Sequence, residues 1–298
     1  MAMNSEIVPR LRDVQCITPA GLHRMAYREW GDPDNDRVLV CVHGLTRIGN
    51  DFDRVARAML PHYRVVCPDV AGRGRSDRLR DPMLYQNPTY ISDMVTLLAR
   101  LDAKTVHWFG TSMGGLIGMG LAALARSEDM PAPISRMILN DVGPVISAVA
   151  VARIGGYLGR PVRFKSLDEA VSYIRQIAAP FGAHSDAEWR FLTEVVIRAD
   201  GEGYVLHYDP AIAVPFKVAA AAAPDTDTSL WHIYDAITCP VLAVRGQHSD
   251  LLSAATHAEM ATRGPRAELA TIADVGHAPT FLHADQIAVA REFLLREN

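Results

Sequence analysis

This 298-residue sequence lacks the cysteine pairs, the charge excess and the long apolar run that mark several classes of protein. The net charge of −4 and a pI of about 6.3 do not suggest nucleic-acid binding, which a basic excess or a basic stripe would indicate. The four cysteines form no C-x-x-C motif, and we expect small, buried, reduced thiols. They are Cys16, Cys41, Cys67 and Cys239.

We also expect neither a targeting segment nor a membrane-spanning segment. The first ten residues contain no apolar signal core. The longest apolar stretch, 113–125, is too short and too rich in glycine to span a bilayer. We therefore expect a cytoplasmic protein without a membrane or nucleic-acid partner. A content of 49% hydrophobic and 21% charged residues is ordinary for a globular enzyme, and the length allows one domain with an insertion.

Signatures of cofactor binding are also lacking. The turn Gly72-Arg73-Gly74-Arg75 has too few glycines for nucleotide binding, and no lysine follows it. No histidine and carboxylate cluster has convincing metal-ligand spacing. We therefore predict neither a metal ion nor an organic cofactor.

Short apolar runs alternate with segments of helical periodicity, which indicates a parallel sheet covered by helices on both faces. The predicted strands cover 14–18, 23–30, 37–42, 63–67, 105–109, 136–140, 240–245 and 268–272. The predicted helices cover 51–60, 88–101, 116–125, 167–178, 186–198, 253–262 and 285–295. Because the alternation stops after Pro144 and resumes at Pro240, we predict an α/β core from 1–143 and 229–298 and a helical insertion at 144–228.

The segment Gly110-Thr111-Ser112-Met113-Gly114 has the G-x-S-x-G pattern of a nucleophile on a tight turn. A short apolar strand precedes it and a longer apolar helix follows it. Such a turn forces Ser112 into a strained backbone conformation, and Gly110 and Gly114 leave room where the strand and the helix approach each other. We therefore expect the Ser112 hydroxyl to be presented at the positive end of the helix.

A serine hydroxyl needs a base that accepts its proton and a carboxylate that orients the base. In open parallel sheets, such groups follow the carboxyl ends of strands. Asp250 follows strand 240–245 and His277 follows strand 268–272, which satisfies the order Ser, Asp, His of nucleophile-elbow enzymes. We predict His277 as the base and Asp250 as the acid. Asp141, directly after the sixth predicted strand, is the rival acid, with a structural role at the strand end as its alternative.

The reaction also needs donors for the developing oxyanion. The first predicted donor is the backbone N–H of Met113, directly after the nucleophile. The second is the N–H of Leu45 in the loop His43-Gly44-Leu45, because Gly44 lets the backbone turn toward the substrate. Removal of one such donor typically costs about 3 kcal/mol of transition-state stabilisation.

Taken together, these features resemble the α/β-hydrolase superfamily over nearly the whole sequence. The resemblance is carried by His43-Gly44 and by the segments 69–76, 110–115, 246–250 and 276–279. It implies an α/β-hydrolase fold, with a mostly parallel eight-stranded sheet, helices on both faces and a helical cap inserted after strand 6. It also implies a largely structural role for the loop 69–76 and a cap, here 144–228, that shapes the substrate pocket.

Serine at the nucleophile position implies acyl transfer. It argues against the dehalogenase and epoxide-hydrolase branches of the family, which use an aspartate to attack carbon. We predict hydrolysis of small carboxylic esters through an acyl-enzyme on Ser112. The alternatives are a lactonase or a carbon–carbon bond hydrolase with the same triad, a cofactor-free perhydrolase, and a ligand receptor that has kept the fold.

Substrate specificity is expected to come from the cap and from the walls of the pocket. The candidate apolar pocket residues are Trp108, Val142, Tyr157, Phe181, Trp189 and Phe216. Arg47 closely follows the oxyanion loop, where it could bind a substrate carboxylate, and a solvated surface arginine is its alternative.

Overall fold

The computed structural model describes residues 7–124, 133–222 and 226–296. The strands are β1 (Arg10–Thr18), β2 (Gly21–Trp30), β3 (Arg37–Val42), β4 (Arg64–Pro68), β5 (Thr105–Thr111), β6 (Arg136–Asn140), β7 (Val145–Ile146), β8 (Arg163–Phe164), β9 (Ile197–Asp200), β10 (Gly203–Leu206), β11 (Thr228–Ser229), β12 (Val241–Gly246) and β13 (Glu268–Ile272). The helices are α1 (Asp53–Met59), α2 (Asn87–Leu98), α3 (Met113–Ala122), α4 (Ala148–Gly155), α5 (Leu167–Ile177), α6 (Asp186–Glu194), α7 (Ala213–Ala222), α8 (Trp231–Tyr234), α9 (Ala254–Met260) and α10 (Ala284–Leu295). The last residue of the predicted helix 116–125, Ala125, lies outside the described residues.

Eight strands form the central sheet, in the order β1-β2-β4-β3-β5-β6-β12-β13. The pairs β1–β2 and β2–β4 are antiparallel, and the remaining neighbours are parallel. This mostly parallel sheet, with its antiparallel edge, confirms the predicted α/β-hydrolase fold. Among the described residues, no helix is long and apolar enough to cross a membrane.

Apolar clusters cover both faces of the sheet, which explains why its inner strands are continuous apolar runs. In β5, Trp108 packs on the face that carries Met94 of α2. The next residue, Phe109, points to the opposite face, which is covered by Val55 of α1 and Phe293 of α10. This alternation follows from the twofold repeat of side chains along a strand.

The insertion between β6 and β12 is not purely helical, which corrects the prediction for 144–228. It contains α4 to α7, but β8, β10 and β9 form a three-stranded antiparallel sheet within it. The predicted helix 186–198 ends at Glu194 because the following chain turns into a hairpin. Gly201, with φ of 59°, occupies the left-handed region that this tight turn requires. The short antiparallel pair β7–β11 lies near the two ends of the insertion.

The order of the sheet determines which loops can meet. Strands β5, β6, β12 and β13 are consecutive neighbours and run parallel, so their carboxyl ends lie along one edge. Ser112, Asp141, Ser249 and His277 follow these four strands in that order. Polar side chains far apart in the sequence are therefore brought to a single site.

Candidate active site

Ser112 is the single residue between β5 and α3, and its backbone is strained as the sequence predicts. Its φ of 52° and ψ of −116° are unusual for a residue with a side chain. The flanking glycines are required by close backbone approach. A Cβ on Gly110 would lie 2.3 Å from the carbonyl oxygen of Gly114, and a Cβ on Gly114 would lie 2.0 Å from that of Val42. The turn therefore holds the serine at the N-terminus of α3.

His277 connects Ser112 to a carboxylate. Its Nε2 lies 2.9 Å from the hydroxyl oxygen of Ser112, and its Nδ1 lies 2.7 Å from Oδ2 of Asp141. Because an ionised carboxylate only accepts hydrogen bonds, Nδ1–H donates to Asp141 and Nε2 accepts from the serine hydroxyl. This is the arrangement in which an imidazole can take the proton of a serine.

Asp141 is fully buried and held in place by three hydrogen bonds. The backbone N–H of Gly246 donates to Oδ1 at 2.8 Å, and the hydroxyl of Ser249 donates to Oδ2 at 2.7 Å. The third donor is His277. The role of Ser249 was missed in the sequence, where its only signal is its position on the loop between β12 and Asp250.

Asp250, the predicted acid, does not contact His277 in this structure. It accepts two hydrogen bonds from Arg153, at 2.6 and 3.0 Å, and its side chain is 39% exposed. The turn after β12, closed by the bond from Ser249 N–H to the Gly246 carbonyl at 2.9 Å, directs Ser249 toward the buried site. Asp250, one residue later, is directed away from it. The placement predicted for Asp250 is therefore wrong, and the rival Asp141 occupies it.

The loop His43-Gly44-Leu45 packs directly against Ser112. A Cβ on Gly44 would lie 3.7 Å from the Cβ of Ser112. The described residues supply no hydrogen-bond acceptor for the N–H of Leu45. Met113 is the first residue of α3, where a backbone N–H has no partner within the helix. Neither predicted donor is therefore engaged by an acceptor among the described residues.

Arg73 is a fully buried cation that touches the residues of both predicted donors. Its Nε donates to the carbonyl of Leu45 at 2.9 Å, and its Nη2 lies 3.4 Å from the sulfur of Met113. Its Nη1 donates to the hydroxyl of Tyr90 at 2.8 Å and to the carbonyl of Ala71 at 2.7 Å. Among the described residues, all its hydrogen-bond partners are neutral. Burial of such a charge without an anionic partner is costly.

The buried side chain of His43 holds the loop His43-Gly44-Leu45 in place through two hydrogen bonds. Its Nδ1–H donates to the carbonyl of Gly44 at 2.7 Å, and its Nε2 accepts from the N–H of Val70 at 3.0 Å. Burial lowers the pKa of His43 to about 3, so the ring stays neutral and keeps this pair of bonds. The glycine-rich loop 69–76 is itself tied by Asp69, whose carboxylate accepts from the N–H of Gly49 and of Arg75.

Two cavities meet at Ser112. The smaller, of about 100 Å³, is also lined by His277 and by the tyrosines Tyr157, Tyr173 and Tyr208. The larger, of about 460 Å³, is lined mainly by apolar side chains and includes Met113. An elongated substrate with its reacting atom at Ser112 can therefore extend in two directions.

Five of the predicted pocket residues line these cavities. Arg47, Tyr157 and Phe181 line the smaller one, and Val142 and Phe216 line the larger one. The guanidinium of Arg47 is nevertheless engaged, since it forms two bonds of 2.7 Å with Asp51 and donates to the carbonyl of Leu192 at 2.9 Å. It is neither a solvated arginine nor one with a free edge for a substrate carboxylate.

Trp108 and Trp189 line neither cavity, which corrects their assignment to the pocket. Trp108 is fully buried beneath the turn at Ser112, and its indole N–H donates to the carbonyl of Gly114 at 3.0 Å. Trp189 packs within the insertion against Leu192, with its ring 5.2 Å from that of His184. Both aromatic side chains serve the packing of the elements that carry the site.

Within the described part of the chain, no group of three potential metal ligands includes Ser112, His277 or Asp141. The two groups that do occur lie elsewhere: Cys16, His23 and Asp93, and His184, Glu188 and His283. In the first group His23 is already paired with Asp93 at 2.9 Å, and burial raises the pKa of the Cys16 thiol to about 12.

The sequence and the fold both match known hydrolases. A sequence model of the family described as alpha/beta hydrolase fold matches residues 37–284. The 3-hydroxybutyrate-oligomer hydrolase of Cupriavidus necator is 56% identical over 290 residues, which cover 96% of this chain and 97% of that protein. The pimeloyl-acyl-carrier-protein methyl ester esterase of Xanthomonas axonopodis pv. citri is 29% identical over 85% of this chain and 92% of its own length. The crystal structure of an alpha/beta hydrolase from Novosphingobium aromaticivorans superimposes with a TM-score of 0.84 and 34% identity, covering 98% of this chain and 100% of its own.

Proposed function

Because the chain belongs to the α/β-hydrolase family, we propose that it hydrolyses carboxylic esters through an acyl-enzyme intermediate on Ser112. The observation that carries this proposal is the continuous hydrogen-bonded series Ser112, His277 and Asp141 at the junction of two cavities. It replaces Asp250 by Asp141 as the proposed acid.

In the first half of the proposed reaction, Ser112 attacks the ester carbonyl while Nε2 of His277 takes the hydroxyl proton. Asp141 keeps the proton on Nδ1 and stabilises the imidazolium that forms. The N–H groups of Leu45 and Met113 donate to the oxyanion of the tetrahedral intermediate. His277 then returns the proton to the leaving alcohol, and the acyl group remains on Ser112.

In the second half, water replaces the alcohol. His277 accepts a proton from the water, the resulting hydroxide attacks the acyl carbonyl, and the bond to Ser112 breaks as the serine is reprotonated. The products are one carboxylic acid and one alcohol for each water consumed. The proposed steps need only this chain, the ester and water.

For the substrate, we propose short ester oligomers of 3-hydroxybutyrate. This proposal is supported by the high similarity to the Cupriavidus hydrolase over nearly the full length of both proteins. The two cavities also suit an ester with a substituent on each side of the reacting carbonyl. The insertion 144–228 is proposed as the cap, because it contributes lining residues such as Tyr157 and Phe216 to the two cavities.

The test is a steady-state comparison of the wild type and Ser112→Ala on the linear dimer of 3-hydroxybutyrate, p-nitrophenyl butyrate, a lactone and a vinylogous diketone. We expect the dimer to have the highest kcat/KM, and Ser112→Ala to lower it by about 10⁶-fold, since triad residues act as a unit. Preference for the lactone or the diketone would favour the lactonase or the carbon–carbon hydrolase. If Ser112→Ala keeps more than a tenth of the wild-type rate, Ser112 is not the nucleophile.

A further inference from the structure

The ion pair between Arg153 and Asp250 lies at the rim of the smaller cavity and links the insertion to the loop after β12. Arg153, near the end of α4, lines that cavity together with Ser112 and His277. Its Nε donates to Oδ2 of Asp250 at 2.6 Å, and its Nη2 donates to Oδ1 at 3.0 Å. The Arg153 side chain is 37% exposed, so a ligand in the cavity can reach it.

This bidentate pair orients the guanidinium of Arg153 and uses only one of its edges. A guanidinium carries five N–H donors in a planar fork, and Asp250 occupies two of them. Among the described residues, none accepts a hydrogen bond from Nη1 of Arg153. The edge formed by Nη1 and Nη2 can therefore hold a second carboxylate. Arg47, on the same cavity, has donors engaged on all three nitrogens.

The residues that line each cavity indicate which part of the ester each one receives. His277, which protonates the leaving alcohol in the proposed reaction, lines the smaller cavity and not the larger. Of the two proposed oxyanion donors, Leu45 lines both cavities and Met113 lines only the larger. The alcohol part of the ester therefore belongs in the smaller cavity beside Arg153, and the acyl part belongs in the larger, apolar cavity.

Building on the proposed function, we propose that Arg153, oriented by Asp250, binds the terminal carboxylate on the alcohol part of a hydroxy-acid oligomer. In a linear 3-hydroxybutyrate oligomer only the last unit carries a free carboxylate. Two carbon atoms separate that carboxylate group from the oxygen of the last ester bond, so it lies close to the reacting carbonyl. Hydrolysis of this bond consumes one water and releases one hydroxy-acid monomer from the carboxyl end in each turnover.

The experiment compares the 3-hydroxybutyrate dimer as the free acid with its methyl ester, which lacks the charge. We expect Arg153→Gln to lower the ratio of kcat/KM for the acid to that for the methyl ester by at least tenfold, mainly through KM. Arg198→Gln is the matched control, since Arg198 is exposed on β9 and lines neither cavity. It should leave the ratio as in the wild type. With the trimer, the wild type should release monomer from the carboxyl end first.

Other outcomes separate this proposal from its premise. If Arg153→Gln changes kcat/KM for both substrates by the same factor, the ion pair only holds the insertion in place and the proposal is overturned. If the wild type hydrolyses neither dimer, the proposed substrate itself is wrong. Asp250→Asn should lower the same ratio, by less than Arg153→Gln does, and an unchanged ratio would remove Asp250 from the proposed role.

Three potential metal ligands, His184, Glu188 and His283, also lie close together near the start of α6. Nδ1 of His184 lies 3.3 Å from Nε2 of His283 and 3.8 Å from Oε2 of Glu188. Nε2 of His283 lies 3.6 Å from Oε2 of Glu188. A tetrahedral zinc ion with bonds of about 2.1 Å keeps its ligand atoms about 3.4 Å apart. The three donor atoms are thus already spaced for one ion.

Hydrogen bonds orient two of these side chains, and Arg54 pairs with the other carboxylate oxygen, Oε1 of Glu188, at 2.8 Å. Oε2 of Glu188 accepts from the N–H and the hydroxyl of Ser185, each at 3.0 Å, which orients the carboxylate. Nε2 of His184 lies 3.4 Å from the hydroxyl of Thr280, a partner for its second ring nitrogen.

We propose that His184, Glu188 and His283 bind a zinc ion that ties the insertion to the segment following His277. The test is calorimetric titration of Zn²⁺ into the full chain after treatment with chelator. We expect one equivalent to bind and the unfolding temperature to rise, and both effects to be lost in His283→Ala and Glu188→Gln. His232→Ala, at an exposed histidine of α8 outside the group, should bind like the wild type. Binding that survives in His283→Ala, or no stoichiometric binding to the wild type, would overturn the site.

Discussion

Asp141 and His277, 136 residues apart in the sequence, are joined by a hydrogen bond of 2.7 Å. The carboxylate is fully buried, and the imidazole retains slight exposure toward the smaller cavity. The orientation of the base in the proposed mechanism therefore depends on a residue at the end of β6. The loop after β12 supplies Ser249 as a second partner of that carboxylate.

Asp141→Asn should reduce kcat by about 10⁴-fold, because an amide cannot hold the imidazole in the required tautomer. Asp250→Asn should reduce kcat by less than tenfold, since Asp250 contacts Arg153 and not His277. Both are measured as kcat on p-nitrophenyl butyrate. A larger loss in Asp250→Asn than in Asp141→Asn would return the role of the acid to Asp250.

Ser249→Ala should reduce kcat by about tenfold and leave KM within a factor of two. The substitution removes one of three hydrogen bonds that hold the Asp141 carboxylate, and hydrogen bonds to charged groups contribute about 1.5–3 kcal/mol. Ser249→Thr keeps the hydroxyl and should recover most of the rate. Equal losses in both variants, or a rise in KM alone, would show that the hydroxyl does not position Asp141.

Arg73→Met should lower kcat by about tenfold to a hundredfold, because the carbonyl of Leu45 loses its partner and the positive charge that contacts both proposed oxyanion donors disappears. Arg73→Lys keeps the charge without the planar fork and should lie between Arg73→Met and the wild type. The unfolding temperature of each variant is measured alongside the rate. A kcat that follows only the loss of folded protein would contradict a positioning role.

The stability of the fold should decline as pH falls from about 6.5 to about 4, in part because of His107. Burial, followed by the nearby Arg37 and Arg136, lowers the pKa of His107 to about 4. The unfolded chain keeps the ordinary value of about 6.5. Within this window the unfolded chain binds more protons than the folded one, so acidification favours unfolding.

His107→Asn should therefore reduce the slope of unfolding free energy against pH, by at most about 1.4 kcal/mol per pH unit. The measurement is urea denaturation at several pH values between 4.5 and 7. His232→Asn, at an exposed position, provides the control. A slope in His107→Asn equal to that of the wild type would show that this histidine is not the group that titrates.

Much of the molecule can be read from local patterns. The alternation of apolar strands and helical segments predicted the eight strands of the sheet, and the glycines around Ser112 predicted the strained turn, because both depend on neighbours in the chain. The secondary structure of the insertion was predicted less well. Its strands are only two to four residues long, and they exist because they pair with one another through the hairpin at Gly201.

The sequence by itself determined the α/β-hydrolase fold, the turn that presents Ser112 and the positions of His277 and Asp141 after their strands. Only the tertiary structure showed that Asp141, and not Asp250, contacts His277, because both satisfy the chain order Ser, acid, His. The decision depends on which way a side chain leaves its loop, and the turn from Gly246 to Ser249 directs Asp250 out to Arg153. Side-chain direction in a loop is set by contacts between distant segments, and these form only when the sheet assembles.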